Sequence, residues 1–205
     1  MGSVKDLVVL EKPGRDKSGI GRFIFSDRYS VFDWGEMPNH IAEKGKALCM
    51  IGAHFFEKLE KENVKTHFRG VLTGGEARHL AETASAADVM EVKLLRVLRP
   101  EMSGAAYDYG IYRKERANFL IPLEVIHRNS LPEGSSVFKR LKEGSLRPED
   151  IGLDRMPRPN ERLASPLLDV STKLEATDRY MTWKEAREIA ALDAADPEIP
   201  RPPAS

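Results

Sequence analysis

The feature that most constrains the fold is a change of apolar period at Lys44. From Lys44 to Asn63, residues Ala47, Ile51, Phe55 and Leu59 recur every four positions, with Leu48 and Phe56 widening the stripe. That spacing predicts a single long amphipathic helix that buries this stripe and carries Lys58, Glu60 and Lys61 near its solvated end. Cys49 and His54 read as core or flank residues, since no partner ligand lies at a metal-binding spacing. The chain around the helix reads mostly as extended. Val4 to Leu10 and Arg22 to Phe25, joined by a charged turn with Pro and Gly, predict an antiparallel hairpin. Val64 to Val71 and Val89 to Leu98 are apolar and β-branched enough for strands, with an Ala-rich, weakly helical stretch over Glu76 to Ala87 between them. Pro100 to Ala117 reads as a loop or extended hairpin. Phe119 to His127 (FLIPLEVIH) is a continuous apolar run, expected in the middle of a sheet with Pro122 where no ladder donor is needed. Ser136 to Lys142 predicts a short basic helix, and Lys142 to Ser165 a surface connection. Thr182 and Glu185 stand at capping-box spacing ahead of a last helix reaching Leu192. The tail from Asp193 to Ser205 holds four prolines and no periodicity, and is expected to be disordered. The fold class is therefore α+β.

Composition narrows the function. Lys plus Arg equals Asp plus Glu at 32 each, which argues against binding long nucleic acid by bulk charge but leaves room for a local cationic pocket. One cysteine excludes an internal disulfide and a four-thiolate metal site. No apolar run approaches the roughly 20 residues that span a bilayer, and the opening MGSVKDL has no apolar signal region. No membrane partner and a cytoplasmic location are the expectations.

Five segments carry phosphate- and carboxylate-handling chemistry. Gly2 to Leu7 (GSVKDL) puts a glycine and Lys5 at a strand start, where backbone N–H groups and a point charge can approach a phosphate; a frayed end with a surface lysine fits the same residues. Ser26 to Asp33 (SDRYSVFD) places two carboxylates, Arg28 and Ser30 at a turn, where they suit Mg²⁺ or an amine, although a solvated turn explains them nearly as well. Lys44 and Lys46 flank Gly45 at a helix N-terminus, against the dipole unless a ligand compensates. Arg128 and Asn129 end the apolar strand and are followed by the turn Gly134-Ser135-Ser136. An arginine fork with a Gly-Ser turn can grip a phosphate, and the two serines are hard to separate in this role. His127, one position earlier, faces the other way and reads as packed. Ser171 to Asp178 (STKLEATD) puts Lys173 and Glu175 on one side if extended.

In this order, the five segments resemble the SAICAR synthetase family over about residues 2 to 190. The resemblance implies a two-lobe fold: a nucleotide-binding sheet lobe over residues 1–120 with one long helix, the start of a substrate lobe over 121–192, and the tail over 193–205. It implies an ATP-dependent ligase of purine synthesis that joins L-aspartate to the carboxylate of carboxyaminoimidazole ribotide, through an acyl phosphate and with Mg²⁺ on the phosphates. Carried over by position, Gly2, Ser3, Lys5, Lys173 and Glu175 are implied nucleotide contacts; Ser3 stands where the family usually has a lysine. Arg128, Ser135 and Ser136 are implied ribotide contacts and Lys44 a substrate contact, and Asp33 and Asp178 are implied in catalysis, Asp178 on the amino-acid side. The metal ligands are not assigned, and self-association is left open. The family's later D-x-K-x-E-F-G and D-E-x-x-P-D-x-x-R segments have no counterpart in the 205 residues. The chain is therefore expected to comprise the first lobe and the start of the second. A catalytically incomplete nucleotide-binding homologue, and a ligase of the same fold acting on another carboxylate, remain open on the sequence.

Overall fold

The computed structural model describes residues 4–31, 34–115 and 117–190, which form two compact units. The first comprises the chain to Val97 together with Ala117–Leu120, and the second comprises Leu98–Arg116 and the chain from Ile121 onward.

The first unit is a five-stranded antiparallel sheet with one helix on it. Strands β1 (Lys5–Glu11) and β2 (Gly19–Phe25) form the expected hairpin, with Leu7 opposite Phe23. Strands β5 (Phe68–Thr73), β6 (Glu76–Arg78) and β7 (Val89–Leu94) complete the order β1-β2-β7-β5-β6. A two-residue ladder, β3 (Ser30–Val31) and β4 (Gly35–Glu36), stands apart. The stretch expected to be weakly helical instead forms β6 and a single 3₁₀ turn, Leu80–Glu82. Gly74 and Gly75, both at positive φ, reverse the chain tightly enough to return it as a strand.

Helix α1 (Lys44–Lys61) lies where the period predicts it, but with a different face inward. The fully buried residues are Gly45, Cys49 and Ala53, while Ile51 and Phe55 are each 56% exposed and Leu48 and Leu59 also face solvent. Small side chains let the helix axis approach the sheet, and the larger stripe is turned outward by that contact. A Cβ on Gly45 would sit 2.6 Å from the Phe25 carbonyl oxygen, so this first turn admits only glycine without a shift. Cys49 and Ala53 pack with Phe68, Val71, Met90 and Val92, and Phe23, Phe25 and Phe56 close the margin. Full burial of side chains such as Val71 and Met90 stabilises by about 1.5–3 kcal/mol each. His54 is exposed.

The second unit is built on one antiparallel pair, β10 (Leu123–Ser130) and β11 (Arg162–Thr172). The apolar run at 119–127 was expected mid-sheet, yet among the described residues β10 pairs only with β11, and Val125 is 52% exposed. His127, expected to pack, is exposed on that same open face. Pro122 is buried where its missing N–H matters to no ladder, and its carbonyl accepts from the Lys173 N–H at 3.0 Å. Helix α3 (Ser136–Lys142) supplies Val137 and Leu141 to a core with Leu131, Leu146, Ile151 and Leu167. A hairpin, β8 (Glu101–Ser103) and β9 (Ala106–Asp108), leads into a short helix α2 (Gly110–Lys114). Helix α4 (Trp183–Ile189) begins at Thr182, whose Oγ1 accepts from the Glu185 N–H at 3.3 Å, as its spacing predicts. The expected disordered tail lies outside the described residues.

Candidate functional site

In the first unit, three of the motif segments interlock. Asp27 acts as the N-terminal cap of α1: its carboxylate accepts from the Glu43 N–H at 3.2 Å and the Gly45 N–H at 2.8 Å. The Lys44 ammonium donates to the Ser26 and Arg28 carbonyls at 3.0 and 2.6 Å, which satisfies the lysine that stands against the helix dipole. Arg28 reaches back to Asp6 at 2.9 Å and to Ser26 Oγ at 3.1 Å. The Ser26 N–H and hydroxyl both donate to the Val4 carbonyl. Lys5 lays its ammonium 4.1 Å from the centroid of the Phe23 ring, a cation–π contact. Gly2, Ser3 and Asp33 lie outside the described residues.

In the second unit, register sets the geometry. Opposite residues of an antiparallel pair share a face, so Glu124, Ile126 and Arg128 of β10 stand on the same face as Leu167, Asp169 and Ser171 of β11. The polar members fall into two poles. Glu124 and Arg128 are four residues apart on one strand, a rise of roughly 13 Å.

The Arg128 pole is cationic and largely buried. Arg128 Nη2 donates to Asp169 Oδ2 at 3.4 Å and to Ser136 Oγ at 3.3 Å. Arg140 donates to the same Asp169 oxygen and stacks its guanidinium 3.8 Å over the Tyr180 ring. The Tyr180 hydroxyl is 2.7 Å from Ser136 Oγ. Side-chain exposure is 15% for Arg128, 14% for Arg140 and 7% for Asp169. Two guanidiniums thus share one carboxylate, leaving one net positive charge. The Nε atoms of both arginines are buried with no hydrogen-bond partner among the described residues. A dianionic phosphate is the kind of group that satisfies such a surplus of charge and donors. Arg140, Asp169 and Tyr180 also line a cavity of about 710 Å³, together with Leu146, Leu167 and Trp183 among others.

The structure separates the two serines. Ser135 is the N-cap of α3, its Oγ accepting from the Val137 N–H at 3.3 Å, whereas the Ser136 hydroxyl turns to Arg128 and Tyr180. Sequence reading missed Arg140, Asp169 and Tyr180. Two signals were present: Arg140 stands four positions after Ser136 on one helix, and Asp169 interrupts an apolar strand, where a buried acid requires a cation.

The opposite pole is an exposed ion trio. Lys173 Nζ lies 3.0 Å from Glu124 and 3.3 Å from Asp178, and the two carboxylates raise the lysine's pKa, the Glu124 hydrogen bond most. β11 ends at Thr172, so Lys173 and Glu175 do not continue along one strand face as expected. Lys173 is exposed, whereas the Glu175 side chain is 6% exposed and is bound by Tyr109 and Arg179. Among the described residues, no three His, Cys, Asp or Glu side chains converge to hold a metal ion, and no helix is long and apolar enough to cross a membrane.

Comparison with known proteins adds the family. The model of the family described as SAICAR synthetase matches residues 2–199. A protein of Archaeoglobus fulgidus, provisionally named phosphoribosylaminoimidazole-succinocarboxamide synthase, is 53% identical over 192 residues, covering 94% of this chain and 56% of its own length. The phosphoribosylaminoimidazole-succinocarboxamide synthase of Thermoplasma volcanium is 34% identical, covering 85% of this chain and 50% of its own. The chain thus spans about half the length of the curated relatives it matches. Among solved structures, SAICAR synthase from Saccharomyces cerevisiae complexed with SAICAR superposes with a TM-score of 0.58 at 22% identity, over 94% of this chain and 55% of that one. A type-2 SAICAR synthetase in complex with ADP gives 0.54 at 20% identity, over 92% and 56%. These likenesses establish the fold, a mixed α+β architecture with antiparallel sheets.

Proposed function

Because this chain belongs to the SAICAR synthetase family, we propose that it carries the ribotide-phosphate grip of an ATP-dependent ligase joining L-aspartate to the carboxylate of carboxyaminoimidazole ribotide. The observation that carries this reading is the Arg128–Asp169–Arg140 cluster with Ser136, whose surplus positive charge and unpartnered Nε atoms suit a phosphate. The ion trio roughly 13 Å along the same sheet face gives the reacting end of the ribotide and the incoming amino acid a charged place to dock. A free carboxylate resists attack by an amine; ATP supplies the phosphoryl group that makes it an acyl phosphate, whose phosphate can leave. The chain's own residues then position and neutralise. Arg128, Arg140 and Ser136 hold the ribotide's phosphate, and Ser135 fixes the helix that presents Ser136. Lys173 serves the nucleotide, and Asp178 orients the amine of aspartate.

In the first unit, Lys5, Gly2 and Ser3 are assigned to the nucleotide and Asp33 to catalysis. The Lys44 ammonium has one donor left after its two carbonyls, enough for a single bond to substrate. Mg²⁺ belongs to this reading through the phosphates. The described residues offer it no cage of their own, so no step is assigned to the metal.

Calorimetric titration with SAICAR and with its dephosphorylated nucleoside tests the phosphate grip. Arg128→Ala is expected to weaken SAICAR binding by about 1.5–3 kcal/mol, roughly tenfold to more than a hundredfold, with the nucleoside unaffected. Arg128→Lys should recover little, since one ammonium does not reproduce the guanidinium fork. Equal SAICAR affinity in wild type and Arg128→Ala would remove the phosphate from this pole.

A further inference from the structure

Among the described residues, none of 98–115 contributes to the phosphate pole, yet Tyr107 and Tyr109 hold the loop that carries the other one. The Tyr109 hydroxyl, just after β9, donates to Glu175 Oε1. Arg179 Nη2 meets the same carboxylate at 3.3 Å, and Arg179 Nη1 reaches Glu185 in the first turn of α4 at 2.6 Å. One residue further along the loop, the Ala176 N–H donates to the Tyr107 hydroxyl at 3.0 Å. Two tyrosines therefore grip consecutive loop residues from beneath, with the Glu175 side chain 6% exposed between them. Lys173 and Asp178, on either side of this grip, keep their charges at the surface.

From this geometry we infer that Tyr107, Tyr109 and Glu175 form a latch that positions the Lys173–Asp178 arm, and that Glu175 is a positioning residue rather than a nucleotide contact. Three observations converge on it. The carboxylate is closed over by protein donors, Tyr109 and Arg179, with its side chain only 6% exposed. The backbone beside it is held by a second tyrosine. The phenol of Tyr109 has its pKa raised, by burial first and then by the Glu175 hydrogen bond, so it remains a proton donor across the neutral range. The arm has left the β11 ladder at Thr172, and the Ser171–Tyr180 bridge closes it at the far side. Without the tyrosines, the intervening residues would rely on exposed ion pairs, which stabilise weakly. The latch instead sets how far Lys173 and Asp178 stand from each other and from Glu124.

The test rests on the nucleotide role proposed for Lys173, and uses the full chain with Mg-ATP in calorimetry alongside amide hydrogen exchange. Tyr109→Phe removes one oxygen and keeps the ring. It is expected to weaken Mg-ATP about tenfold, a change near 1.4 kcal/mol, and to speed exchange at 173–178 while leaving 123–130 unchanged. Glu175→Gln keeps an oxygen that accepts from Tyr109, so it should retain most of the affinity. Adding Tyr109→Phe to Lys173→Met should weaken Mg-ATP no further than Lys173→Met alone, because the latch acts through the lysine. Loss of Mg-ATP in Glu175→Gln with none in Tyr109→Phe would overturn the inference and make Glu175 a direct contact. Unchanged exchange at 173–178 in Tyr109→Phe would overturn it too. If wild type binds no Mg-ATP, the nucleotide reading fails, and the exchange result alone decides the latch.

Discussion

Replacing Asp169 by Asn probes the phosphate pole without touching any residue assigned to hold the phosphate. One carboxylate oxygen accepts from both Arg128 and Arg140, with all three side chains at 15% exposure or less. Asparagine keeps the shape and a neutral acceptor but removes the only negative charge in the cluster. Two guanidiniums then converge on a site whose net charge rises from +1 to +2. Breaking a fully buried ion pair from one side costs about 3–5 kcal/mol. The arginines here retain some contact with water, and Arg140 keeps its place over Tyr180. A loss of about 2–3 kcal/mol is therefore expected, or roughly 10 °C in the melting of a unit of this size.

The discriminating arm is rescue by an anion. Inorganic phosphate bound between the two arginines supplies the negative charge that the substitution removes, and a ligand at about a hundred times its Kd stabilises by about 2.7 kcal/mol. Phosphate should thus restore much of the melting temperature of Asp169→Asn and raise that of wild type less, with chloride at matched ionic strength as control. Thermal denaturation followed by circular dichroism reads both effects. Two results would refute the reasoning. An Asp169→Asn variant as stable as wild type would mean the arginines do not depend on the carboxylate. Equal phosphate stabilisation of both proteins would mean the pole is not an anion site held open by one shared charge.

Two further predictions concern the first unit. Gly45→Ala should destabilise by about 1–3 kcal/mol, because its Cβ meets the Phe25 carbonyl; in an unconstrained helix the same change stabilises, so the sign in a denaturant titration decides. Cys49, fully buried, has its thiol pKa pushed up to about 12 by burial and then by Asp88, and should react with a thiol reagent at pH 8 only as fast as α1 opens. A folded pKa above the thiol's ordinary value of 9.0 gives stability that is complete below that pH and fades as pH rises towards 12. Cys49→Ala should flatten that alkaline fall in melting temperature.

The elements of this fold were legible where local chemistry dominates. The β1–β2 hairpin, the start of α1, the span of α3 and the Thr182 cap follow from local sequence pattern, turn residues and capping. The orientation of α1 was not legible. Its larger apolar residues, Ile51 and Phe55, make the stronger periodic signal, yet the sheet selects the smaller Gly45, Cys49 and Ala53. Helix–sheet approach is decided by how near the axis can come, a property of both surfaces, whereas a periodicity count weighs only the hydrophobicity of one. The 76–87 stretch failed for a related reason. Its alanines favour helix weakly, and two left-handed glycines before it outweigh them.

The site shows the same division between residues and pairings. Motif chemistry picked out Arg128 with the Ser135-Ser136 turn as suited to a phosphate, and the family resemblance added Lys173 and Asp178. Neither could supply their partners, since these arise from register and long-range folding. Asp169 meets Arg128 only because β10 and β11 align Ile126 with Asp169, and Arg140 joins them only because α3 runs back over that face. The first unit repeats the pattern: Asp27, Arg28 and Lys44 carry the charges expected of ligand contacts, and they bond to the backbone of residues 26, 28, 43 and 45, to the Ser26 hydroxyl and to Asp6. Charged clusters among the described residues thus divide into those whose members satisfy each other and those that leave a surplus. Arg128 and Arg140 fall on the surplus side, with two buried Nε donors unmet. That imbalance, more than the presence of an arginine after an apolar strand, is the observation on which the proposed phosphate site rests.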